Sequence, residues 1–190
     1  MARSSKEQAS ANRQRIVATA GALFRSHGYD AVSIADVMKA AGMTQGGFYK
    51  HFASKEALAC EAWNAGFAGV AAAWDQVEGD SGEDGPPPVA TIVDYYLSRQ
   101  PPEHRCPMQA HGEDAARSTD GGTLRTVYAE GAGALHDIFL GGARPMMDED
   151  RARLLFAAMV GANMLGRASG DADWVEQIKT AVRRATAPVS

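Results

Sequence analysis

Nine residues in the N-terminal third of the chain have types suited to binding a polyanion. Most lie between positions 44 and 55, where small, hydroxyl, amide and basic side chains follow one another. Together with free backbone N–H groups at the start of a helix, they can donate hydrogen bonds to phosphates and base edges. The nine candidates are Ser33, Thr44, Gln45, Gly46, Gly47, Tyr49, Lys50, His51 and Lys55.

Charge is distributed unevenly along the 190 residues, whose formal net charge is -4. Residues 1–55 carry eight Lys or Arg and three acids, which gives +5, and the remaining residues carry -9. A basic head on an acidic body indicates that the head binds a polyanion.

Hydrophobic spacing predicts the elements that position these candidates. Helical patterns cover 10–27, about 34–41, about 45–51 and 54–78. Gly28 ends the first helix, and Gly42 makes a tight turn between the second and the third. Ser33 and Thr44 are the expected N-caps of these two short helices. Two short helices joined by such a turn have helix-turn-helix geometry, which needs a further helix to cover its apolar side.

The apolar residues of this region identify its buried side. Ile16, Phe24, Phe48 and Phe52 lie on inward helix faces, so we expect them in the core. Tyr49 then points outward, because its neighbour Phe48 already takes the core position. The second helix of the pair is expected to present its polar side and its N-terminus to DNA.

The remaining residues also favour helix, since no segment shows the period-two pattern of a strand. Residues 79–88 are rich in proline, glycine and acids and predict an exposed loop. Helical patterns resume afterwards, at 89–99, 106–118, 123–140, 148–168 and 171–187. We predict an all-α fold of about nine helices. It has an N-terminal domain at 10–70, with its helix-turn-helix at 33–52, and a larger helical domain at 71–190.

Several classes of protein are disfavoured. No run of about 18 apolar residues exists, so we expect no membrane span. The polar N-terminus lacks the apolar segment of a secretory signal, which makes the cytoplasm the default location and leaves Cys60 and Cys106 as thiols. No nucleophile elbow, glycine-rich phosphate loop or zinc-ligand spacing is present, so we expect no enzyme, cofactor or metal site.

The run GGFYKHFASKEAL at 46–58 is the most specific motif of the chain. It follows Ala40-Ala41-Gly42-Met43-Thr44, with Ser33-Ile34, Gly28-Tyr29 and Arg15-Ile16 upstream. This constellation resembles the DNA-binding domain of the TetR/AcrR family of transcriptional regulators. The resemblance implies an all-helical homodimer that reads a palindromic double-stranded DNA operator. It also implies that residues 71–190 form a domain for dimerisation and for binding a small molecule that releases DNA.

Cys106 has a special position in the C-terminal part. Residues 104–108 with Glu113 resemble the Gly-Cys-Pro element of one branch of the family, although Arg105 stands where glycine is usual. Pro107 suits the first position of a helix, so Cys106 is the expected N-cap. The helix dipole and Arg105 would favour the thiolate. Cys106 is therefore either a redox or electrophile sensor or a capping residue beside a ligand pocket.

A set of aromatic and soft side chains predicts a pocket for an apolar or aromatic ligand, although each could also be plain core. The set includes two residues chosen for their chemistry, a thiol and an imidazole. Its members are Trp63, Phe67, Trp74, Tyr95, Tyr96, Cys106, Met108, His111, Tyr128 and Phe139.

The last two predicted helices carry apolar faces that would form a four-helix bundle with a second copy. Internal packing against the rest of the domain is the alternative. The candidate interface residues are Leu155, Phe156, Met159, Asn163, Trp174, Ile178 and Val182.

The sequence thus predicts a DNA-binding repressor, dimeric on a palindromic operator and released by a small apolar or aromatic ligand. Two alternatives remain open: a repressor that senses oxidants or electrophiles through Cys106, and a DNA-binding activator without a ligand.

Overall fold

A computed structural model of the chain describes residues 2–80, 87–118, 122–170 and 172–187, with side chains omitted at 2–5 and 78–80. These residues form nine α-helices and two 3₁₀ helices and contain no strand, which confirms the all-α class. The α-helices are α1 (Ala2–His27), α2 (Ile34–Ala40), α3 (Lys55–Asp80), α4 (Pro88–Leu97), α5 (Pro107–Ala110), α6 (Gly112–Arg117), α7 (Thr123–Ala143), α8 (Glu149–Ser169) and α9 (Asp173–Arg184). The 3₁₀ helices are Gln45–Lys50 and Pro102–His104.

Three elements differ from the sequence-based prediction. α1 begins at Ala2 rather than near residue 10, because Ala, Gln, Lys and Glu favour helix even without an apolar face. The segment 45–51 forms a 3₁₀ helix, and the segment 106–118 is divided at His111 into α5 and α6. α3 continues to Asp80, and the rest of the predicted loop, 81–86, lies outside the described residues.

The chain folds into two compact units that are not consecutive in sequence. Unit 1 consists of Met1–Ala68 and Gln100–Gly131, and unit 2 consists of Gly69–Arg99 and Ala132–Ser190. The first break lies close to the expected domain boundary at residue 70. Residues 100–131, however, fold with the N-terminal helices, so α5 and α6 lie in the same unit as the helix-turn-helix.

The core of unit 1 is built around the predicted aromatic residues. Ile16, Phe24 and Phe48 are completely buried, and Phe52 is nearly so, which confirms their expected place. Gly28 takes a φ of 84° directly after α1, a conformation that glycine adopts without strain. Trp63 of α3 is buried in the same cluster, so α3 covers the side of the pair that α1 leaves open.

The core of unit 2 packs α4 against α8 and α9, which also pack on each other. Leu155 and Met159 of α8 are buried in this unit, and so is Phe139 of α7. Asp148 accepts a hydrogen bond from the backbone N–H of Arg151 and so begins α8. The guanidinium of Arg151 donates in turn to the carbonyl oxygens of Ala185 and Ala187, which satisfies the carbonyl end of α9.

Candidate nucleic-acid interface

The helix-turn-helix begins with a reciprocal cap at Ser33. The backbone N–H of Asp36 donates to Oγ of Ser33 at 3.1 Å, and the N–H of Ser33 donates to Oδ2 of Asp36 at 2.9 Å. The Ser33 hydroxyl also donates to that carboxylate, and these bonds lower the pKa of Asp36. The Ser33 side chain is therefore occupied in starting α2, which orients the pair before any contact with DNA.

The turn after α2 depends on a left-handed residue. Gly42 has a φ of 72°, and its N–H donates to the carbonyl of Lys39, while the N–H of Met43 donates to the carbonyl of Met38. Thr44 follows in an extended conformation and begins the 3₁₀ helix without a side-chain cap bond. The predicted turn is confirmed, whereas the predicted side-chain cap at Thr44 is absent.

The 3₁₀ helix Gln45–Lys50 separates an apolar side from a polar one. Phe48 is fully buried and packs against Phe52, with ring centroids 5.7 Å apart. Gln45, Tyr49 and Lys50 are exposed. His51, which caps the helix, is half-buried. The two turns of this 3₁₀ helix therefore present an amide, a phenol and an ammonium group to the outside.

Gly46 is not required by the packing of this chain. A Cβ added there would meet nothing within 4 Å, and the φ of Gly46 is not positive. A Cβ at Gly47 would make only ordinary contacts, with Met38 and Thr44. A missing side chain at an exposed helix start allows another molecule to approach the backbone closely.

Tyr49 is the most exposed aromatic residue of the interface. Its side chain is 70% exposed, and its ring meets Phe48 edge-on at 5.2 Å. The buried ring of Phe48 therefore fixes the Tyr49 ring, while the hydroxyl remains accessible. This matches the outward position predicted from the sequence.

Lys55 is half-buried, so its ammonium group is less accessible to a phosphate than that of a fully exposed lysine. Its ammonium nitrogen is 4.2 Å from the ring centroid of Tyr29, a cation–π contact. Burial lowers the pKa of Lys55, while the charges of Asp30 and Asp114 act in the opposite direction. Ser54 caps the following helix, because its Oγ accepts a hydrogen bond from the N–H of Ala57.

Comparison with known proteins assigns this arrangement to a family. Residues 16–62 match the family described as bacterial regulatory proteins, tetR family. Over 63 residues the chain is 41% identical to the HTH-type transcriptional regulator AcrR of Shigella flexneri and 38% identical to the "Probable acrEF/envCD operon repressor" of Escherichia coli K12. Each alignment covers 33% of this chain and 29% of the relative, so the chain spans less than a third of the relatives' length.

The similarity of fold extends over nearly the whole chain. A TetR transcriptional regulator from Chloroflexus aurantiacus superposes with a TM-score of 0.78 and 26% identity, covering 94% of this chain and 95% of that one. These comparisons support a transcriptional regulator of the TetR/AcrR family. The matched residues 16–62 include the helix-turn-helix and Lys55, whereas Asp114 lies outside them.

Six of the ten predicted pocket residues lie in unit 1. The Trp63 and His111 rings are stacked, with centroids 4.4 Å apart and planes at 11°. Phe67 meets Tyr128 edge-on at 5.9 Å, and the Tyr128 hydroxyl donates to the carbonyl of Met108 at 2.8 Å. Burial, and then the charge of Cys106, raise the pKa of Tyr128. These contacts form two groups, Trp63 with His111, and Tyr128 with Phe67, Met108 and Cys106.

The other four predicted pocket residues lie in unit 2. Trp74 contacts both Tyr96 and Phe139, with centroid distances of 6.4 and 6.3 Å. Tyr95 does not join them, because its side chain is 59% exposed. The expectation that Tyr95 lines a buried pocket is wrong, because consecutive helix residues point about 100° apart and Tyr95 falls on the exposed side of α4 while Tyr96 is buried.

The predicted setting of Cys106 is only partly found. Cys106 is the N-cap of α5 and Pro107 is the first helical residue, as expected. α5, however, contains four residues, and Cys106 makes no side-chain cap bond. The dipole argument for a thiolate is weakened, because a single turn carries little of the macrodipole.

Three of the predicted dimer residues are wrong. Leu155, Met159 and Val182 are 4%, 0% and 5% exposed within the single chain, so they cannot offer a surface to a second copy. Asn163 is also occupied, because its amide donates to the carbonyl of Tyr96. Phe156 and Ile178 are half-buried. The exposed apolar residues here are Leu154, Met164 and the predicted Trp174.

Three further observations concern the rest of the described residues. An open concavity of about 460 Å³ lies between α1 and α3 in unit 1, where Arg13 forms an ion pair with Glu61. The described residues contain no group of three or more His, Cys, Asp or Glu side chains placed to hold a metal ion. Within the same part of the chain, no helix is long and apolar enough to cross a membrane.

Proposed function

We propose that this protein is a DNA-binding transcriptional repressor that acts as a homodimer and releases its operator when a small molecule binds. The observation that carries the proposal is the 3₁₀ helix Gln45–Lys50, whose apolar side is buried while its polar side is free. The +5 charge of residues 1–55 adds attraction to the phosphate backbone.

Each part of the interface has a distinct role in DNA binding. Gln45 is the candidate for reading a base edge, because an amide can both donate and accept. Tyr49 and Lys50 donate to phosphates, and the bare backbone at Gly46 allows the helix start to approach the groove. Lys55 supports this surface by holding Tyr29, rather than by contacting phosphate alone.

Dimerisation would use the outer face of α8 and α9, which we define as Leu154, Met164 and Trp174. These side chains are 72%, 60% and 46% exposed, although each is large and apolar. Ala157, Ala158 and Ala181 are exposed on the same two helices and allow close approach of a second copy. The sequence prediction of a four-helix bundle is kept, with these residues in place of the buried ones.

The repressor assignment is supported by the 38% identity over 63 residues to the "Probable acrEF/envCD operon repressor" of Escherichia coli K12. Release requires an effector that prefers the state unable to bind DNA, and DNA must weaken effector binding by the same factor. We expect a coupling of about 1–3 kcal/mol. α3 is the candidate connection, since it begins at the interface and carries Trp63, Phe67 and Trp74 along its length.

The test measures DNA binding directly. A duplex is selected from a random pool by the parent protein, and its affinity is measured by fluorescence anisotropy. Tyr49→Ala should weaken binding at least about tenfold, because it removes a phosphate donor. Tyr95→Ala is the matched control, since Tyr95 is also an exposed tyrosine but lies in unit 2, and it should bind like the parent. Equal affinities of both variants would refute the interface.

The thiol alternative has its own test. Treatment with hydrogen peroxide or N-ethylmaleimide should leave operator binding intact if a reversible ligand is the signal. Release of DNA by either reagent, abolished by Cys106→Ser and retained in Cys60→Ser, would establish the thiol as the sensor instead.

A further inference from the structure

The stacked pair of Trp63 and His111 leaves three buried polar atoms without a hydrogen bond. Nε1 of Trp63 and both ring nitrogens of His111 have no partner among the described residues. The Trp63 side chain is 0% exposed and that of His111 is 1% exposed. A buried donor or acceptor without a partner costs free energy, and native proteins almost always supply one. A third molecule is therefore expected to supply hydrogen bonds at this point.

Arg25 brings a positive charge to the same place. Burial, and then the charge of Arg25, lower the pKa of His111 to about 3, so the imidazole is neutral. Nε of Arg25 donates to the carbonyl of Glu103 at 2.6 Å. No carboxylate of the described residues forms an ion pair with Arg25, although burial lowers the pKa of its guanidinium.

Two glycines make room for this guanidinium. A Cβ added at Gly21 of α1 would lie 3.3 Å from Nη1 of Arg25, and one at Gly66 of α3 would lie 3.4 Å away. The Gly66 position also faces Pro107 at 3.2 Å, and the carbonyl of Pro107 accepts the N–H of His111. The guanidinium thus lies where α1, α3 and α5 meet, one helical turn from Trp63 and from His111.

Arg25, Trp63 and His111 together offer several N–H donors, and the charge of Arg25 has no ion-pair partner among the described residues. We propose that Arg25, Trp63 and His111 bind the carboxylate of a small organic acid, whose apolar body packs against Phe67 and Tyr128. A guanidinium holds a carboxylate with two parallel hydrogen bonds, and the indole and imidazole N–H groups can donate to the remaining lone pairs. A single cation matches one carboxylate, and the aromatic pair next to it excludes a wholly polar ligand.

Binding at this point has a direct route to the DNA interface. Asp114 lies three residues after His111 and is 8% exposed. Its Oδ2 accepts the backbone N–H of Tyr29 at 2.9 Å, and its Oδ1 accepts a hydrogen bond from Arg117. Tyr29 lies in the connection between α1 and α2, and its ring makes the cation–π contact with the ammonium group of Lys55. A shift of His111 therefore moves the residue that fixes this connection. As an effector site, the proposal rests on the proposed function.

The test uses simple probes and calorimetry without DNA. Benzoate and hexanoate are titrated into the full chain, with benzamide and hexanamide as uncharged counterparts of the same shape. The carboxylates should bind at least about tenfold more tightly than the amides, because the charge-assisted bonds to Arg25 are lost. Amides that bind as tightly as the acids would overturn the proposal, and so would carboxylates that give no heat at millimolar concentration.

Variants locate the site. Arg25→Met should weaken benzoate binding at least about tenfold, and Arg25→Lys should retain part of it because the charge remains. Arg15→Met removes a charge from an exposed position of the same helix and should bind benzoate like the parent. Should Arg25→Met fail to fold, the lysine variant and the amide comparison still decide. Unchanged affinity in a folded Arg25→Met or Arg25→Lys protein refutes the site.

A spectroscopic signature separates this site from any other. In protein with ¹⁵N-labelled tryptophan, benzoate should shift the indole N–H signal of Trp63, which Trp63→Phe assigns, and leave Trp74 and Trp174 unmoved. A shift confined to Trp74 or Trp174 places the acid elsewhere. Operator binding is measured separately, so a chain that binds DNA but no carboxylate loses only this proposal.

Discussion

Two surfaces of this protein expose large side chains, and they do so with opposite chemistry. The 3₁₀ helix Gln45–Lys50 in unit 1 exposes Tyr49 between an amide and an ammonium group. The outer face of α8 and α9 in unit 2 exposes Leu154, Met164 and Trp174 beside small residues. The first surface offers hydrogen bonds and positive charge, whereas the second offers only apolar area.

The difference indicates which partner each surface suits. A polyanion is held by donors that water can also reach, so its binding depends on salt and on single side chains. A second copy of the chain is held by apolar area removed from water, so a buried charge disrupts it. The two surfaces should therefore respond to different substitutions, and each prediction below tests that separation.

The largest effect is expected inside unit 2, at Met159. Met159→Glu places a carboxylate at a fully buried position without a partner and should destabilise the fold by about 4 kcal/mol or more. Met164→Glu, on the outer face, should leave the fold nearly unchanged and convert dimers to monomers. Urea unfolding and sedimentation velocity separate the two results. A stable Met159→Glu dimer would show that the assignment of inner and outer faces is reversed.

Two glycines of unit 1, one packed against a buried ring and one at the DNA interface, give the next contrast. A Cβ at Gly131 of α7 would lie 2.3 Å from the buried Phe67 ring, so Gly131→Ala should cost about 2 kcal/mol of stability. Gly46→Ala should leave stability unchanged and weaken DNA binding. Gly133→Ala is the control on α7, because its Cβ meets nothing within 4 Å. Thermal melts and anisotropy measure both properties, and a destabilised Gly46→Ala protein would contradict the free approach at that position.

The burial of His111 in unit 1 predicts a smaller effect on the free energy of unfolding, one that depends on pH. The pKa of His111 is about 3 in the folded chain, below its ordinary value near 6.5, so the unfolded chain takes up the proton first. Stability is unaffected above pH 6.5 and is lost progressively as the pH falls toward 3. Between pH 6.5 and 5.5 the loss should be about 1 kcal/mol. His111→Phe should remove this part of the pH dependence in urea titrations, and an unchanged slope would count against a neutral buried imidazole.

The smallest effect concerns two lysines of the DNA interface. Lys50→Ala removes one phosphate contact from each chain of the dimer and should reduce the slope of log affinity against log salt by about 2. Lys55→Ala should change the slope less, because its charge lies on the Tyr29 ring. The measurement is DNA affinity at four salt concentrations. Equal changes in slope for both variants would indicate that Lys55 contacts a phosphate directly.

The sequence predicted features that depend on local rules. Ser33, Gly28 and Gly42 act through backbone bonds to near neighbours, and Phe48 and Phe52 follow helical spacing, so each could be placed without the fold. The break at His111 and the exposure of Tyr95 could not, because they depend on which helices pack together. Met159 and Met164 show the limit most clearly. Both are apolar residues of one helix, and only the position of α4 and α9 decides which of them is buried.

The contact between Asp114 and Tyr29 likewise could not be predicted from the sequence. The two residues are 85 positions apart, and the chain folds residues 100–131 back onto the N-terminal helices. An acidic residue in a short helix gave no signal of such a partner. Arg25 had only a general signal, as one of the basic residues of the N-terminal third.

Sedimentation velocity of a fluorescent selected duplex tests the central claim most directly, since it reports DNA binding and assembly together. The parent protein should sediment with two chains on one duplex. Tyr49→Ala should sediment as a dimer that leaves the duplex free, and Met164→Glu as a monomer that does the same. A Tyr49→Ala protein that still carries the duplex, or a Met164→Glu protein that remains dimeric, would contradict the assignment of one surface to DNA and the other to a second copy.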